Sequence, residues 1–413
     1  MASIFRSKVS FLVVFIACSL VAEVGILYYF LVWIPKRPPE PPFLRYLIQV
    51  EGDEIPSFTP VDLASLKKAF EREKEFLSQK ISSNQKLPFG RQRVGAELIK
   101  ESAELFFEIL GEARDAKELN RLIRKCFNIY LAYGQKGQGR VLFTGYYSPV
   151  HKASLSKHAD YRYPLYLEPS DLKVAELGEF DPQLTGEKIV YRIDKKREEI
   201  VPYYTRRHIV QEKVLEGKGL ELVYLRSKID RFYFMIEGSG KIVLEDGRSF
   251  WANYAASNGR PYTSLGKLLR EDGKLSAGEL TLQGIKEYFS HHPHEIDRYL
   301  NQNQRFIFHR EEEDGPYGAT GIKLTPLRSL AVDKSIFPLG ALAYIEYRAP
   351  RLNKVGNVEG EAEYSHFVFC QDSGIAIKGP GRADVYFGEG DQALKRVERT
   401  KSLGRLYFLI KKN

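Results

Sequence analysis

Two aspartates near the C-terminal end of this 413-residue chain have the type and spacing for acid–base chemistry. Asp372 follows the apolar run Phe367-Val368-Phe369-Cys370 and one polar residue, Gln371. Asp384 comes twelve positions later and leads into Val385-Tyr386-Phe387. Gly374, Gly379, Gly381 and Gly388 punctuate the stretch, so short strands bracketing tight turns place both carboxylates at strand ends. Carboxyls displayed in that way suit proton transfer to and from a substrate. An ordinary turn aspartate is the commonest alternative for Asp beside Gly.

Other chemistries lack their sequence context. His291-His292-Pro293-His294 has neither the i, i+4 helical spacing of a zinc site nor a carboxylate at the expected offset, and reads as a polar loop. No nucleophile elbow, Walker loop or dinucleotide fingerprint occurs in a supporting context, and Lys378-Gly379-Pro380-Gly381 is too short and too late to cradle phosphate. No cofactor and no metal is implied. Asp372-Ser373-Gly374 matches the core triplet of aspartic proteases. That chemistry needs two such triplets sharing one proton; the second is missing, and Gln371 is polar where the signature is apolar. The protease reading is a minor alternative.

The elements that must position these aspartates follow from composition and pattern. Hydrophobic residues at 43% and charged ones at 28% describe globular protein, long enough for about two or three domains. A net charge of +9 suits an anionic polymer or a membrane surface. Lys and Arg are dispersed, with no basic arm or nucleic-acid motif, so nucleic acid is not an expected partner. Of Cys18, Cys126 and Cys370, the first sits in an apolar run. At most a Cys126–Cys370 bridge can form in the remainder, and small buried thiols are the expectation.

Arg6 and Lys8 precede an apolar run from Phe11 to Ile34 that contains one charge, Glu23. Its length suits a membrane-spanning helix, and residues 1–35 are expected to be an uncleaved signal anchor. Glu23 would face a partner or be protonated. Lipoprotein-type cleavage before Cys18 is the alternative, and either arrangement ties the protein to a membrane. Residues 36–45, with Lys36-Arg37-Pro38-Pro39-Glu40-Pro41-Pro42, form a stiff spacer.

Three helices are predicted next. Thr59-Pro60-Val61-Asp62 reads as an N-cap, a proline at N1 and an acidic N3, with Leu63, Leu66 and Phe70 on one face. A second helix runs from about Ala96 to Leu110 with Leu98, Leu105 and Ile109 as its stripe. The third starts at Asp115, with Glu118 completing a capping box and Leu119, Leu122, Ile123, Cys126 and Tyr130 as its apolar face. β texture follows: Val141–Val150, Tyr161–Tyr166, two strands between Phe232 and Ala255 joined at Asp246-Gly247, then Arg305–Phe308, Leu330–Val332 and Leu342–Tyr347. One helical interlude, at about Leu282–Asn301, interrupts it.

Five blocks occur in order: Phe143-Thr144-Gly145-Tyr146-Tyr147, Glu237-Gly238-Ser239-Gly240, Asn258-Gly259-Arg260-Pro261-Tyr262, Leu324-Thr325-Pro326-Leu327-Arg328-Ser329-Leu330-Ala331-Val332-Asp333, and Asp372–Asp384. Together they resemble the membrane-bound lytic murein transglycosylase A family, whose C-terminal part is the three-aspartate domain. The resemblance spans about residues 60–410. It implies a mainly β fold with N-terminal helices: a double-psi β-barrel domain, an inserted smaller β domain, and a groove between them. The implied division is 46–149 and 303–413 for helices plus catalytic barrel, and 150–302 for the insert.

The resemblance also implies the chemistry. Peptidoglycan glycan strands would be cut between N-acetylmuramic acid and N-acetylglucosamine, leaving 1,6-anhydromuramic acid ends. Asp384 aligns with the single general acid/base, which must hold a proton and so needs burial or a like charge nearby. Asp372, Asp333 and Thr144 would support it. Tyr146, Tyr147, Glu237, Gly238, Ser239, Gly374 and Lys378 would contact substrate. Glu237 departs from the glutamine that relatives usually carry. The implied setting is a membrane-anchored enzyme facing the periplasm, with the wall-synthesis machinery as a further partner. A non-catalytic glycan-binding or wall-loosening barrel is the alternative.

Overall fold

The computed structural model describes residues 46–59, 62–134, 137–353 and 356–412. The apolar run Phe11–Ile34 and the proline-rich spacer lie outside them. Among the described residues no helix is long and apolar enough to cross a membrane.

The N-terminal part consists of strand β1 (Leu47–Val50), helices α1 (Leu63–Glu75), α2 (Ala96–Glu112) and α3 (Ala116–Cys126), and strands β2 (Phe127–Ala132) and β3 (Val141–Ser148). A second layer follows: β4 (Val150–Ala153), β5 (Tyr163–Tyr166), β6 (Glu221–Leu225), helix α4 (Lys228–Glu237), β7 (Gly240–Leu244), β8 (Ser249–Ser257) and β9 (Ile307–Glu312). The chain then returns through β10 (Ser329–Ala331), β11 (Leu342–Leu352), β12 (Val358–Asp372), β13 (Arg382–Glu389), helix α5 (Gly390–Val397) and β14 (Ser402–Lys411).

Six strands close into a barrel in the order β14, β11, β12, β10, β13, β3, with β3 pairing back onto β14. β3–β13 and β10–β12 are parallel and the other pairs are antiparallel. Alternation along the strands builds two cores, because successive side chains point to opposite faces. Ala343, Ile345, Val368, Cys370, Leu406 and Phe408 fill the interior with Phe143, Leu330 and Val385. The intervening Leu342, Tyr344, Phe367, Phe369, Tyr407 and Leu409 face outward and are covered by α1, α2 and α3 through Leu66, Phe70, Phe106 and Ile123. Cys126 and Cys370 are both free thiols, the latter buried in the barrel.

The helices differ from their predicted form in four places. α1 starts at Leu63 with Asp62 itself as N-cap, accepting from the Ser65 amide, so Thr59 does not cap it. Buried Arg328 holds this start by donating to Asp62 O and Ser65 Oγ. α2 buries Ile99, Ala103, Phe106 and Ile109, which leaves the predicted Leu98 and Leu105 on the flanks. At α3, Asp115 caps the Glu118 amide, but the Glu118 carboxylate takes the Arg114 amide instead of closing the box. Tyr130 lies on β2, not on α3, because the helix ends at Cys126 and Phe127 and Ile129 continue the core with period two.

In the second layer, β7 and β8 form the predicted hairpin around Asp246-Gly247. The stretch before it, predicted as strand from Phe232, is the C-terminal half of α4, capped by Ser227. β4 adds to β7 in parallel and β9 adds to β8 antiparallel, so the returning strand is hydrogen-bonded into this sheet. The helical interlude is Leu282–His291 and Ile296–Gln302, broken at Pro293.

Candidate active site

The short strand β10 lies between β12 and β13, and its last residue lines up the two aspartates. Ala331 is in register with Asp372 on one side and Asp384 on the other, and Asp384 is in register with Thr144 of β3. The result is one row across the barrel: Asp372, Ala331, Asp384, Thr144. Adjacent strands stand about 4.8 Å apart, so the two aspartate backbones are about 10 Å apart and Thr144 is next to Asp384.

The row gives each carboxyl different partners. Asp384 Oδ1 accepts from the Thr144 hydroxyl at 2.5 Å and lies 3.4 Å from Arg382 Nε, while an Arg382 terminal nitrogen reaches Thr144 Oγ1 at 3.5 Å. The Asp384 side chain is 14% exposed, and Oδ2 takes no hydrogen bond from any described residue. Asp372 Oδ1 accepts the Ala319 and Ser373 amides at 2.9 and 2.8 Å. Burial pushes its carboxyl up to about 6, with the Asp384 charge adding to the rise and the two amides and the Tyr146 phenol opposing it. The Tyr146 hydroxyl is buried facing Asp372 without completing a well-formed hydrogen bond.

Asp333 has a structural role in this geometry. Its Oδ1 accepts from the Ser335 amide and hydroxyl, and its Oδ2 from the Gly379 amide at 2.8 Å. Burial raises its pKa, but the hydrogen bonds from Ser335 and Gly379 outweigh that, and the carboxyl is held below its ordinary value. It therefore pins the glycine-rich turn between the two other aspartates. Behind the row, Gln371 links Ser329 Oγ, 2.6 Å away, to the fully buried Glu73 of α1 at 2.7 Å. Burial raises the Glu73 carboxyl to about 8, so the helix meets the barrel through a neutral acid at neutral pH.

Glu237, the last residue of α4, comes from the second layer. Helix α4 packs against β3, and the Glu237 carboxyl faces the Tyr147 amide and the Asp384 charge. Burial is the main cause that lifts it to about 8, with Asp384 repulsion adding and the Tyr147 amide opposing. Tyr147, Tyr233 and Tyr262 surround it, each with its phenol pushed up first by burial and then by neighbouring charge, Glu237 included. At neutral pH Glu237 is thus a neutral acid that can donate a hydrogen bond, as a glutamine amide can.

The remaining predicted contacts are dispersed. Gly238 ends α4 with φ 82°, a conformation that suits glycine. Ser239 is buried, and its hydroxyl accepts the Tyr254 amide, tying the hairpin to the helix end. Tyr147 is buried in the barrel core, and the Tyr146 ring packs on Tyr386 at 5.3 Å. Gly374 turns over Ile377. Lys378 is exposed and acts on Asp333 rather than touching the row. Two participants carried no local sequence signal: the Ala319 amide on Asp372, and Glu73 beneath Gln371. Tyr262 lay inside a recognised block but had no role assigned to it.

Known proteins match this arrangement. The family model described as the MltA specific insert domain matches residues 142–310, and the 3D domain model matches residues 328–410. The membrane-bound lytic murein transglycosylase A of Vibrio cholerae is 31% identical over 279 residues, 67% of each chain. A membrane-bound lytic murein transglycosylase from Agrobacterium tumefaciens superposes with a TM-score of 0.71 at 25% identity, covering 89% of this chain and 98% of that one. MltA from E. coli, solved with bound chitohexaose, shares the fold with a TM-score of 0.66 at 22% identity, covering 89% and 95%. The chain belongs to the membrane-bound lytic murein transglycosylase A family.

Proposed function

We propose that this protein is a peptidoglycan lytic transglycosylase in which Asp384 alone is the general acid and base. The observation that carries the assignment is how the carboxyls in and around the row are engaged. Asp333 and Asp372 accept backbone amides, and Glu237 is a neutral acid on the opposite wall. Asp384 is held through Oδ1 by side chains only, and Oδ2 is free of described partners. The name of the Vibrio cholerae relative, a lytic murein transglycosylase, supports the same reading.

Most glycosidases flank the bond with two carboxyls, one of them activating water or attacking carbon. Here the substrate supplies its own nucleophile. Protonated Asp384 gives its proton to the glycosidic oxygen as the bond to the muramoyl anomeric carbon breaks. The resulting carboxylate then takes the proton of the muramoyl C6 hydroxyl as O6 bonds to that carbon. The products are a free N-acetylglucosamine hydroxyl and a 1,6-anhydromuramoyl end; no water is consumed, and Asp384 ends protonated. An intramolecular hydroxyl has a high effective concentration, which takes the place of a second carboxyl. Thr144 fixes the carboxyl orientation through Oδ1, and Arg382 reaches the same oxygen and the Thr144 hydroxyl, so the acid is held in one place for both proton transfers.

We further assign 46–149 with 303–413 to the catalytic half and 150–302 to the insert; β9, the first strand of the returning segment, pairs into the insert's sheet and so joins the two. The Phe11–Ile34 run would hold the catalytic part on the periplasmic face of a membrane, close to the machinery that builds the wall. The test is digestion of purified peptidoglycan followed by mass analysis. Anhydro ends from wild type and none from Asp384→Asn support the assignment; binding without any product points to a glycan-binding barrel.

A further inference from the structure

A polar cavity of about 420 Å³ opens in the insert where β5 and β6 meet the N-terminal half of α4. Tyr163, Tyr166, Arg162, Lys157, Lys228 and Arg231 line it. Arg231 is the unusual member. It is 7% exposed, its Nε has no hydrogen-bond partner, and no described carboxylate pairs with its guanidinium. Burial pushes it down to about 10, and the Tyr163 ring lies 5.7 Å from its guanidinium carbon.

Asp297 favours the charged form of Arg231 without pairing with it. Buried Arg206 adds a second guanidinium within electrostatic reach, and it is satisfied by the Asn303 and Arg305 carbonyls rather than by an acid. Three carboxylates also line the cavity, and each is already committed. Asp297 accepts both bonds from Lys228 at 2.8 and 2.7 Å, Glu216 takes Lys157 and Lys213, and Glu221 takes the Gly217 amide. A buried charge is normally paired, since leaving it unpaired costs folding free energy. A cavity lined by Tyr163, Tyr166 and Tyr224, with one buried guanidinium in its wall, is built for a carboxylate on an organic group.

We propose that this cavity binds a carboxylate of the peptide stem carried by the glycan substrate, with Arg231 as the specificity residue. The proposal rests on the transglycosylase reading, because the same helix links the two sites. Arg231 lies six residues before Glu237 on α4. At about 1.5 Å and 100° per residue that is about 9 Å along the axis and about 120° around it, a path of about 15 Å over the helix surface, which about four or five extended peptide residues span. A stem of that length leaving a sugar bound at Asp384 can therefore pass around α4 and end on Arg231. Strands bearing acidic stems would be held more tightly than bare glycan.

The test compares wild type with Arg231→Met on peptide-bearing strands and on glycan strands stripped of peptide. A lost charge-assisted contact predicts KM raised by about tenfold to a hundredfold on peptide-bearing strands with kcat retained, and both constants unchanged on stripped strands. The melting temperature of Arg231→Met should equal or exceed that of wild type, since an unpaired buried charge has been removed. Equal KM effects on both substrates, no effect on either, or a lowered melting temperature would overturn the proposal. If wild type turns over neither substrate, the transglycosylase reading fails. The cavity is then judged by calorimetric titration with a soluble stem peptide. Binding lost on carboxyl amidation and in Arg231→Met supports the site. Absent binding, equal binding of the amidated peptide, or displacement by equimolar acetate rejects it as a stem site.

Discussion

Glu237→Gln removes an ionisable group from the wall facing Asp384 while keeping its shape and a donor. Burial and the Asp384 charge move this carboxyl from the ordinary 4.5 to about 8. That displacement corresponds to about 5 kcal/mol as an upper bound, and roughly half of it once the partial exposure of the residue is allowed for. The folded state binds the proton more tightly than the unfolded chain, so the contribution is fully present below pH 4.5 and is lost as pH rises through about 8. Wild type should therefore lose stability between pH 5 and 9 by about 2–5 kcal/mol more than Glu237→Gln, measured by urea unfolding at a series of pH values. Activity should follow the same group. The groups facing it are Asp384 from β13, Tyr147 from β3, Tyr233 from α4 itself and Tyr262 from the loop after β8. The tyrosine phenols are all raised by burial, which leaves Glu237 as the group of this wall that ionises near pH 8. Above that pH its carboxylate can no longer donate the hydrogen bond that a glutamine amide keeps. The kcat/KM profile of wild type should fall with a midpoint near 8, whereas Glu237→Gln should match wild type at pH 7 and hold its activity further into the alkaline range. An identical alkaline limb in both proteins, or loss of activity in Glu237→Gln at pH 7, would refute this reasoning.

Two further substitutions test the positioning of Asp384. Thr144→Val deletes the hydroxyl bonded to Oδ1 at 2.5 Å and should lower kcat by about tenfold to a hundredfold with little change in KM; an unchanged kcat would show that the contact does not orient the acid. Gly145→Ala places a methyl group against the buried Phe387 ring. Overpacking there should cost about 1–3 kcal/mol, read as a lower melting temperature, and a neutral result would show that β3 and β13 can separate.

Much of the barrel was legible because its strands carry their own signal. Phe367–Cys370 alternates between helix-covered and interior faces, and Leu342–Tyr347 does the same. Family membership was also legible, through ordered blocks rather than through any single motif. What could not be read was register. Nothing local to Asp372, Ala331, Asp384 and Thr144 says that they form one row, because β10–β12 and β3–β13 are parallel pairings between distant segments. Helix α4 was misread because Phe232-Tyr233-Phe234 has strand-like composition, and tertiary packing overrode that propensity. The Ser227 cap with Asp230 at N3 was the signal available for it. Tyr130 failed for the opposite reason: it continues the helical spacing of α3, although the chain has already turned to strand at Phe127.

The central claim is that Asp384 alone supplies and recovers the proton. Its most direct test is product mass from peptidoglycan digested by wild type and by Asp384→Asn. Wild type should release ends one water lighter than hydrolysis products. Asp384→Asn should release no soluble product and still co-sediment with peptidoglycan. Anhydro ends released by Asp384→Asn, or hydrated ends from wild type, would contradict it.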